Sequence, residues 1–176
     1  MYLGDGYIVA TAKAVYRLRI YLDMRYPGII RECAEAMAAV MPNNRVDVRQ
    51  TRPDHKCMQI GAYSRSLPCL FPQHGPGMKH TRRIVLADWQ QDLIDQDPRP
   101  LIRGLIHSDG CRVINKSMGR EYLRYMFSNE SMDIRNIFKD ACNQIGVPYK
   151  QSRPNTISIA RREGIKILDR FVGPKS

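Results

Sequence analysis

Two Asp-Gly pairs, Asp5-Gly6 and Asp109-Gly110, each follow an apolar run whose spacing is typical of a helix. A carboxylate at the C-terminal end of a helix is electrostatically unfavourable, because the helix dipole favours cations there. One such pair would carry little weight, since helices commonly end at glycine. Two pairs with the same acidic residue in the same unfavourable position indicate a chemical role, and binding of a divalent metal is the first candidate.

The residues after each Asp-Gly pair also correspond to one another. Each pair is followed by an alternating stretch typical of strands and then by an amphipathic stretch typical of a helix. The matched positions lie 104 or 105 residues apart: Asp5 with Asp109, Leu18-Arg19 with Leu123-Arg124, and Ile30-Arg31 with Ile134-Arg135. A nearly constant offset over about thirty residues predicts two copies of one supersecondary unit.

Composition indicates a basic globular protein. The 176 residues are 43% hydrophobic, enough to bury a core as one domain or as two small halves. The chain carries 28 Lys and Arg against 17 Asp and Glu, a net charge of +11. This charge indicates a polyanionic partner, first of all nucleic acid, with an ordinary solvated surface as the alternative. The basic residues are spread out, with denser patches at 45–56, 79–83 and 161–162, so a broad surface is expected.

Targeting signals and cysteines indicate the cellular compartment in which the protein is expected. No secretory signal is found, and no apolar run approaches the roughly 20 residues needed to cross a bilayer, so we expect a cytoplasmic protein without a membrane partner. If its polyanionic partner is DNA, we expect it to be nucleoid-associated when bound. The five cysteines lack CxxC spacing and are expected to be reduced thiols: Cys33, Cys57, Cys69, Cys111 and Cys142. Zinc is an alternative for Cys57, Cys69, His74 and His80, although their spacing matches no standard site and a polar loop is the simpler interpretation.

The apolar pattern predicts the order α-β-β-α-β-β-α in each half. In the first half we expect a helix end at 1–5, strands at 7–13 and 15–23, a helix at 27–41, strands at 45–49 and 56–60, and a short helix at 64–71. We expect a further helix at 88–95, within the connector. In the second half we expect a motif helix opened by Pro98 or Pro100, strands at 111–117 and 121–128, a helix at 132–145, strands at 147–152 and 155–160, and a closing helix at 161–171. The predicted repeats are therefore 1–72 and 98–176, with a connector at 73–97.

Alternation within the predicted strands separates two faces. Arg17, Arg19 and Tyr21 fall on one face, and Leu18, Ile20 and Leu22 fall on the other. Arg45, Asp47 and Arg49 oppose Val46 and Val48 in the same way. One face of each sheet is expected to pack on helices while the other stays charged, and a two-stranded ribbon fits the DNA major groove. An ordinary solvated sheet face is the alternative.

The stretch Ile102-Arg103-Gly104-Leu105-Ile106-His107-Ser108-Asp109-Gly110 closely resembles the LAGLIDADG motif of homing endonucleases, and the predicted element order resembles their repeated unit. The resemblance covers essentially the whole chain and implies a single-chain member with two motifs. The implied fold is α+β, with duplicated α-β-β-α-β-β-α units whose two antiparallel sheets form a DNA-binding saddle around a central pair of motif helices. Gly104 and Ser108, four residues apart, supply the small face that close helix packing requires.

The resemblance also implies a metal site. In that family the last acidic residue of each motif binds the divalent metals, and this role carries over to Asp5 and Asp109. Mg²⁺ or another divalent cation is the implied cofactor, with help from the backbone carbonyls of Gly4 and Ser108. Carboxylates that hold hydrated Mg²⁺ suit phosphodiester hydrolysis, because the developing charge must be neutralised and a water activated.

Further site residues follow with the resemblance. Lys79 matches a position where family members often place a basic residue near the active site, and Asn129 is a candidate for orienting water. For each of these two, a solvated loop residue is the alternative. The residues expected to contact DNA are Arg17, Arg19, Arg45, Arg49, Arg52, Arg112, Lys116, Arg124, Lys150 and Arg153.

Two positions depart from the family pattern. Aligning Asp5 with Asp109 places the counterpart of Gly104 before residue 1, so the first motif helix is expected to be cut short. His107 stands where the family often has an acidic residue.

The sequence therefore predicts a monomer with internal pseudo-twofold symmetry that binds double-stranded DNA and cleaves it site-specifically with Mg²⁺. The alternative is a catalytically silent DNA-binding regulator or splicing cofactor on the same scaffold, which the shortened first helix favours. A basic structural protein of the ribosome or nucleoid would account for the charge but would leave the two Asp-Gly repeats unexplained.

Overall fold

The computed structural model describes residues 1–117 and 119–176, and these residues form two compact units. The first unit comprises Met1–Pro76 with Lys175–Ser176, and the second comprises Gly77–Pro174. The division into functional repeats at 1–72 and 98–176 around a connector at 73–97 stays a prediction.

The first unit is built on an antiparallel sheet. Its strands are β1 (Gly6–Ala10), β2 (Tyr16–Asp23), β3 (Val46–Gln50) and β4 (Cys57–Ser64), and its helices are α1 (Tyr2–Asp5), α2 (Pro27–Val40) and α3 (Leu67–Leu70). The strand order is β1-β2-β4-β3. Pro27 lies in the first turn of α2, where its missing N–H is not needed, and Pro42 follows the end of the helix.

The apolar face of this sheet forms the core of the unit. Leu18 and Ile20 of β2 pair with Ala62 and Ile60 of β4, and all four side chains are buried. The stripe Ile29, Cys33 and Met37 of α2 is buried as well, as its spacing along one helix face predicts. The alternation predicted for β2 is therefore confirmed.

Several predictions in the first unit are wrong. The strand predicted at 56–60 continues to Ser64, and the helix predicted at 64–71 is confined to Leu67–Leu70. The strand predicted at 7–13 ends at Ala10, because Lys13 and Ala14 adopt positive φ angles of 60° and 55° in a 3-10 turn at Ala12–Ala14. Val48, expected on the packed side, is 44% exposed because β3 is an edge strand of the sheet. Burial on that face is concentrated on the central strands β2 and β4.

The second unit repeats the arrangement. Its helices are α4 (Asp88–Gln96), α5 (Arg99–Asp109), α6 (Met132–Gln144) and α7 (Arg162–Asp169), and its strands are β5 (Gly110–Ser117), β6 (Arg120–Ser128), β7 (Lys150–Arg153) and β8 (Thr156–Ile159). The strand order, β5-β6-β8-β7, is that of the first sheet. The strand predicted from residue 147 begins at Lys150, and α7 is shorter than the predicted 161–171.

The core of the second unit lies between the sheet and its helices. Phe127 of β6 stacks on Phe138 of α6 with ring centroids 4.4 Å apart, and both are fully buried. The Ser131 hydroxyl caps α6 by accepting a hydrogen bond from the Ile134 amide at 3.4 Å. Across the described ranges the predicted α+β class with two antiparallel sheets is confirmed. In residues 1–117 and 119–176, helices with the length and apolar character of a membrane span are absent.

Candidate functional site

Asp109 is the last residue of α5, and Gly110 begins β5 with an extended backbone. A Cβ at Gly110 would lie 2.8 Å from Ile106 Cα and 2.8 Å from the Met126 carbonyl oxygen. The strand therefore leaves the helix so closely that only glycine fits. This geometry explains the glycine of the Asp-Gly pair and places the Asp109 carboxylate at the junction of helix and sheet.

The Asp109 carboxylate is held by Asn129, which follows β6. Asn129 Nδ2 donates to Asp109 Oδ2 at 2.6 Å, and Asn129 Oδ1 accepts from the Ser131 amide at 2.8 Å. Arg135 Nη1 donates to the Asn129 carbonyl at 2.6 Å. The amide of Asn129 is thus fixed on both sides, and the structure brings together Asn129 and Asp109, two of the predicted site residues.

The first Asp-Gly pair has the same local construction. Asp5 ends α1 and Gly6 begins β1, and a Cβ at Gly6 would lie 2.8 Å from Tyr2 Cα. The pKa of Cys33, on α2 of the same unit, is raised to about 11, mainly by burial, with a further contribution from the Asp5 charge.

The remaining predicted members of the metal and catalytic set occupy defined positions. Gly4 and Ser108 each precede the acidic residue within the motif helix, and the Ser108 hydroxyl donates to the carbonyls of Gly104 and Leu105 at 3.0 and 3.1 Å. Lys79 lies half-buried in a 3-10 turn of the second unit. The catalytic and metal-binding roles of these residues stay predictions.

The polar face of the first sheet carries an ordered network around Arg17. Arg17 Nη2 donates to Asp47 Oδ2 at 3.0 Å, and its guanidinium lies 4.8 Å from the centroid of the Tyr63 ring. With the Gln59 carbonyl turned toward Arg17, that oxygen accepts from Arg17 at 2.8 Å and from Arg49 at 3.3 Å. Arg17 is only 5% exposed, so its guanidinium forms hydrogen bonds mainly within the protein.

Arg19 is held by tyrosines on the same face. Arg19 Nη1 donates to the Tyr7 hydroxyl at 3.1 Å, and the rings of Tyr7 and Tyr21 stack with centroids 5.9 Å apart. The hydrogen bond to Tyr21, together with Arg19, lowers the pKa of Tyr7, whereas burial raises the pKa of Tyr21. The sequence indicated Arg19 and Tyr21 on this face but gave no signal for Tyr7 as their partner.

Beyond this network the first sheet opens into a concave region of ≈ 520 Å³. Arg49, Arg52 and His55 lie along its lining, together with Gln59. Arg45 and Arg52 are exposed next to β3. The predicted DNA contacts of the first unit therefore divide into Arg17 and Arg19, which are engaged within the sheet, and Arg45, Arg49 and Arg52, which are exposed.

The polar face of the second sheet is defined by strand register. Arg124 and Met126 are two residues apart on β6 and therefore lie on the same face. Met126 pairs with Ser158 of β8, and Ser158 pairs with Lys150 of β7, so Lys150 lies on that face too. Lys150 and Arg153 are exposed on the edge strand β7. Tyr122, which the sequence did not single out, lies on the same face and is 46% exposed.

Arg112 and Lys116 occupy the opposite, helix-packed face of the second sheet. Arg112 pairs with the buried Tyr125 across β5 and β6 and makes a two-pronged contact with Asp169 of α7, at 2.9 and 3.0 Å. Lys116 pairs with Glu121 at 3.0 Å. The strand pattern alone did not reveal this, because both faces of β5 alternate polar and apolar residues. Neither residue belongs to the polar face that carries Arg124.

The zinc alternative receives no support from the geometry. All five cysteines lie within the described ranges and are free thiols. Groups of three or more His, Cys, Asp or Glu side chains arranged to hold a metal ion are absent from residues 1–117 and 119–176. Cys57, Cys69, His74 and His80 are thus not gathered into a zinc site.

Comparisons with known proteins agree on the fold. No family model and no curated protein sequence matches the chain. A mesophilic variant of the homing endonuclease I-DmoI is 14% identical and superposes with a TM-score of 0.57 over 97% of this chain and 90% of its own. I-DmoI in complex with DNA and Ca is 16% identical, with a TM-score of 0.57 over 97% of this chain and 84% of its own.

A second protein extends the comparison. The LAGLIDADG meganuclease I-AabMI, bound to uncleaved DNA, is 10% identical with a TM-score of 0.53 over 97% of this chain and 79% of its own. The match spans both units of this chain, and these proteins share little sequence with it. The resemblance carried by the Asp-Gly motifs is confirmed at the level of structure, and the chain has the fold of the LAGLIDADG homing endonucleases.

Proposed function

We propose that this chain binds double-stranded DNA and cleaves it at a specific site with a divalent metal ion. The observation that carries the proposal is the construction shared by both units: an acidic residue ends the motif helix, and the next residue begins an antiparallel sheet with basic residues on one face. The same fold is bound to DNA in I-DmoI and I-AabMI.

The chemistry of the motif ends fits a divalent cation. Asp5 and Asp109 each offer carboxylate oxygens, the hard ligands that Mg²⁺ and Ca²⁺ prefer. The partial negative charge at a helix C-terminus adds to the attraction for a cation. In this proposal each carboxylate binds metal at the end of its own helix, with the carbonyls of Gly4 and Ser108 as neighbouring oxygen donors. A bound metal supplies charge neutralisation at the phosphate and lowers the pKa of its water.

Other residues of the chain orient the Asp109 carboxylate and bind the DNA. Asn129 orients the Asp109 carboxylate through the 2.6 Å hydrogen bond, and Arg135 fixes the Asn129 backbone in turn. Exposed cations bind phosphates, and they include Arg49, Arg52, Lys150 and Arg153. Arg17 and Arg19, held by Asp47 and Tyr7, stiffen the face that meets the bases.

A cleavage selection tests the proposal. The protein is incubated with a randomised duplex library with and without Mg²⁺, and the bound and cut fractions are sequenced. We expect Mg²⁺-dependent cuts at one long motif. Asp109→Asn should abolish the cuts and leave binding intact or stronger, since it removes a negative charge near phosphate.

A matched variant makes this result specific. Asp140→Asn makes the same chemical change at an exposed position of α6 and should cut like the wild type. Equal cutting by the wild type and Asp109→Asn would contradict the metal assignment. Enrichment of a motif without cuts would favour the DNA-binding regulator or splicing cofactor instead.

A further inference from the structure

Residues 84–98 reverse the charge of the rest of the chain. They contain four of its 17 acidic residues and none of its 28 Lys and Arg residues; the four are Asp88, Asp92, Asp95 and Asp97. Asp97 is paired with Arg99 at 2.7 Å, whereas the other three are exposed on α4. This segment locally repels a polyanion, so the surface proposed to bind DNA does not extend here.

The same helix exposes large apolar side chains. Trp89, the single tryptophan of the chain, is 46% exposed, and Leu93 is 57% exposed. Four residues apart on a helix, they share one face, and Asp88 and Asp92 line the adjoining face. We name the four residues Asp88, Trp89, Asp92 and Leu93 the α4 ridge. An exposed aromatic and a leucine beside carboxylates have the composition of an interaction surface.

The helix that carries the α4 ridge is capped at its start and hydrogen-bonded to α6 near its end. Gln90 Oε1 accepts from the Ala87 amide at 3.1 Å at the start of the helix, and Gln144 Nε2 of α6 donates to the Asp95 carbonyl at 3.1 Å near its end. Ile94 faces α6 across a cleft of ≈ 430 Å³. The ridge therefore lies on a helix that is joined to α6 near its C-terminal end.

We propose that the α4 ridge docks a basic amphipathic helix of a partner protein. Apolar side chains of the partner would pack on Trp89 and Leu93, which form a ridge of the spacing that helix packing uses. Lysine or arginine residues flanking that apolar stripe would meet Asp88 and Asp92. Charge complementarity selects this occupant, because an acidic or nucleic-acid partner would be repelled. The proposal is independent of DNA cleavage.

Trp89 itself provides the assay, since its fluorescence reports only on this surface. The probe is a synthetic amphipathic Leu/Lys helix of about 15 residues, roughly four turns, without Trp or Tyr. It is titrated into the full-length protein, with a Leu/Glu peptide of the same pattern as the control. We expect a saturable blue shift of Trp89 emission with the Lys peptide and none with the Glu peptide. Equal responses to the two peptides would overturn the proposal.

Two variants and a matched control complete the test. Asp92→Lys and Leu93→Ala should each weaken binding of the Lys peptide by about tenfold, a loss usual for contacts at the centre of an interface. Glu35→Lys makes the same charge reversal on an exposed position of α2 and should leave peptide affinity unchanged. Equal weakening by Asp92→Lys and Glu35→Lys would reduce the effect to net charge and overturn the proposal.

The same preparations test whether a second copy of this chain occupies the ridge instead. A Trp89 shift that grows with protein concentration alone, together with dimers in sedimentation, would make a second copy of this chain the occupant and overturn the proposal. The duplex affinity of Asp92→Lys separates the docking proposal from the proposal of DNA cleavage. We expect this variant to bind the duplex at least as tightly as the wild type, whether or not the chain cleaves DNA.

Discussion

Asn129 donates a hydrogen bond from Nδ2 to Asp109 Oδ2 at 2.6 Å and so joins the end of β6 to the end of the motif helix α5. The other end of the same amide accepts from the Ser131 amide at 2.8 Å. The orientation of the amide is thereby determined, with the nitrogen toward the carboxylate. Asn129, a candidate for orienting water, thus lies where it orients the Asp109 carboxylate.

The first prediction concerns this pair. Asn129→Ala should lower Mg²⁺-dependent cleavage by about 10–100-fold, the usual effect of losing a residue that orients a metal ligand. The loss should appear as a higher Mg²⁺ concentration at half-maximal cleavage, because Asp109 remains but is no longer held. Duplex affinity without metal should be unchanged. A cleavage loss that no Mg²⁺ concentration reduces would assign Asn129 a role other than positioning.

The second prediction concerns the glycine of the motif. Gly110→Ala should destabilise the protein by about 3 kcal/mol, the upper end for overpacking, because two backbone atoms lie 2.8 Å from the new Cβ. Gly119→Ala is the comparison: its φ is +72° but nothing lies within 4 Å, so it should cost only the backbone strain of about 1 kcal/mol. Urea unfolding measures both changes, and equal costs would contradict the steric explanation.

Sequence patterns located most elements because they report local periodicity. Pro27 and Pro42 bracket α2, and the alternation of Leu18 and Ile20 identified the buried face of β2. The strand predicted at 7–13 ends early for a physical reason, because Lys13 adopts a positive φ angle. Glycine is the usual sequence signal for such an angle, and it is absent at this position.

The candidate site was less predictable than the fold. The acidic residues were found because a repeated carboxylate at a helix end is unusual, and Asn129 was named without its contact to Asp109. Arg112 is among the residues that the sequence analysis expects to contact DNA, whereas its pairing with Asp169 depends on α7, more than fifty residues later. Contacts between elements distant in sequence leave no local signal, and so register had to come from the structure.

The third prediction uses that register. Replacing both Arg124 and Lys150 with alanine should weaken duplex binding and reduce the slope of log K against log salt by about 2, one for each phosphate contact. Arg112→Ala removes a cation from the opposite face and should leave the slope unchanged. Fluorescence anisotropy of a labelled duplex at several salt concentrations measures both. A slope change for Arg112→Ala equal to half that of the double variant would contradict the assignment of faces.

The fourth prediction concerns pH and the helix-packed face. Hydrogen bonds from Arg112 and then Tyr125 hold the pKa of Asp169 below its usual value of 3.8, against the opposing effect of burial. A lowered pKa in the folded protein contributes stability that is present above the unfolded pKa and is lost as the pH falls through the folded pKa. Asp169→Asn removes this contribution.

The measurement is the difference in Tm between the wild type and Asp169→Asn. It should be constant from pH 7 to about pH 5 and should shrink below about pH 4, where the unfolded carboxyl begins to protonate. Asp140→Asn, the same change at an exposed position of α6, should give only a small difference in Tm at pH 7. A wild-type advantage that stays constant to about pH 2 would mean that Asp169 stabilises α7 through packing, because an ionic contribution must titrate.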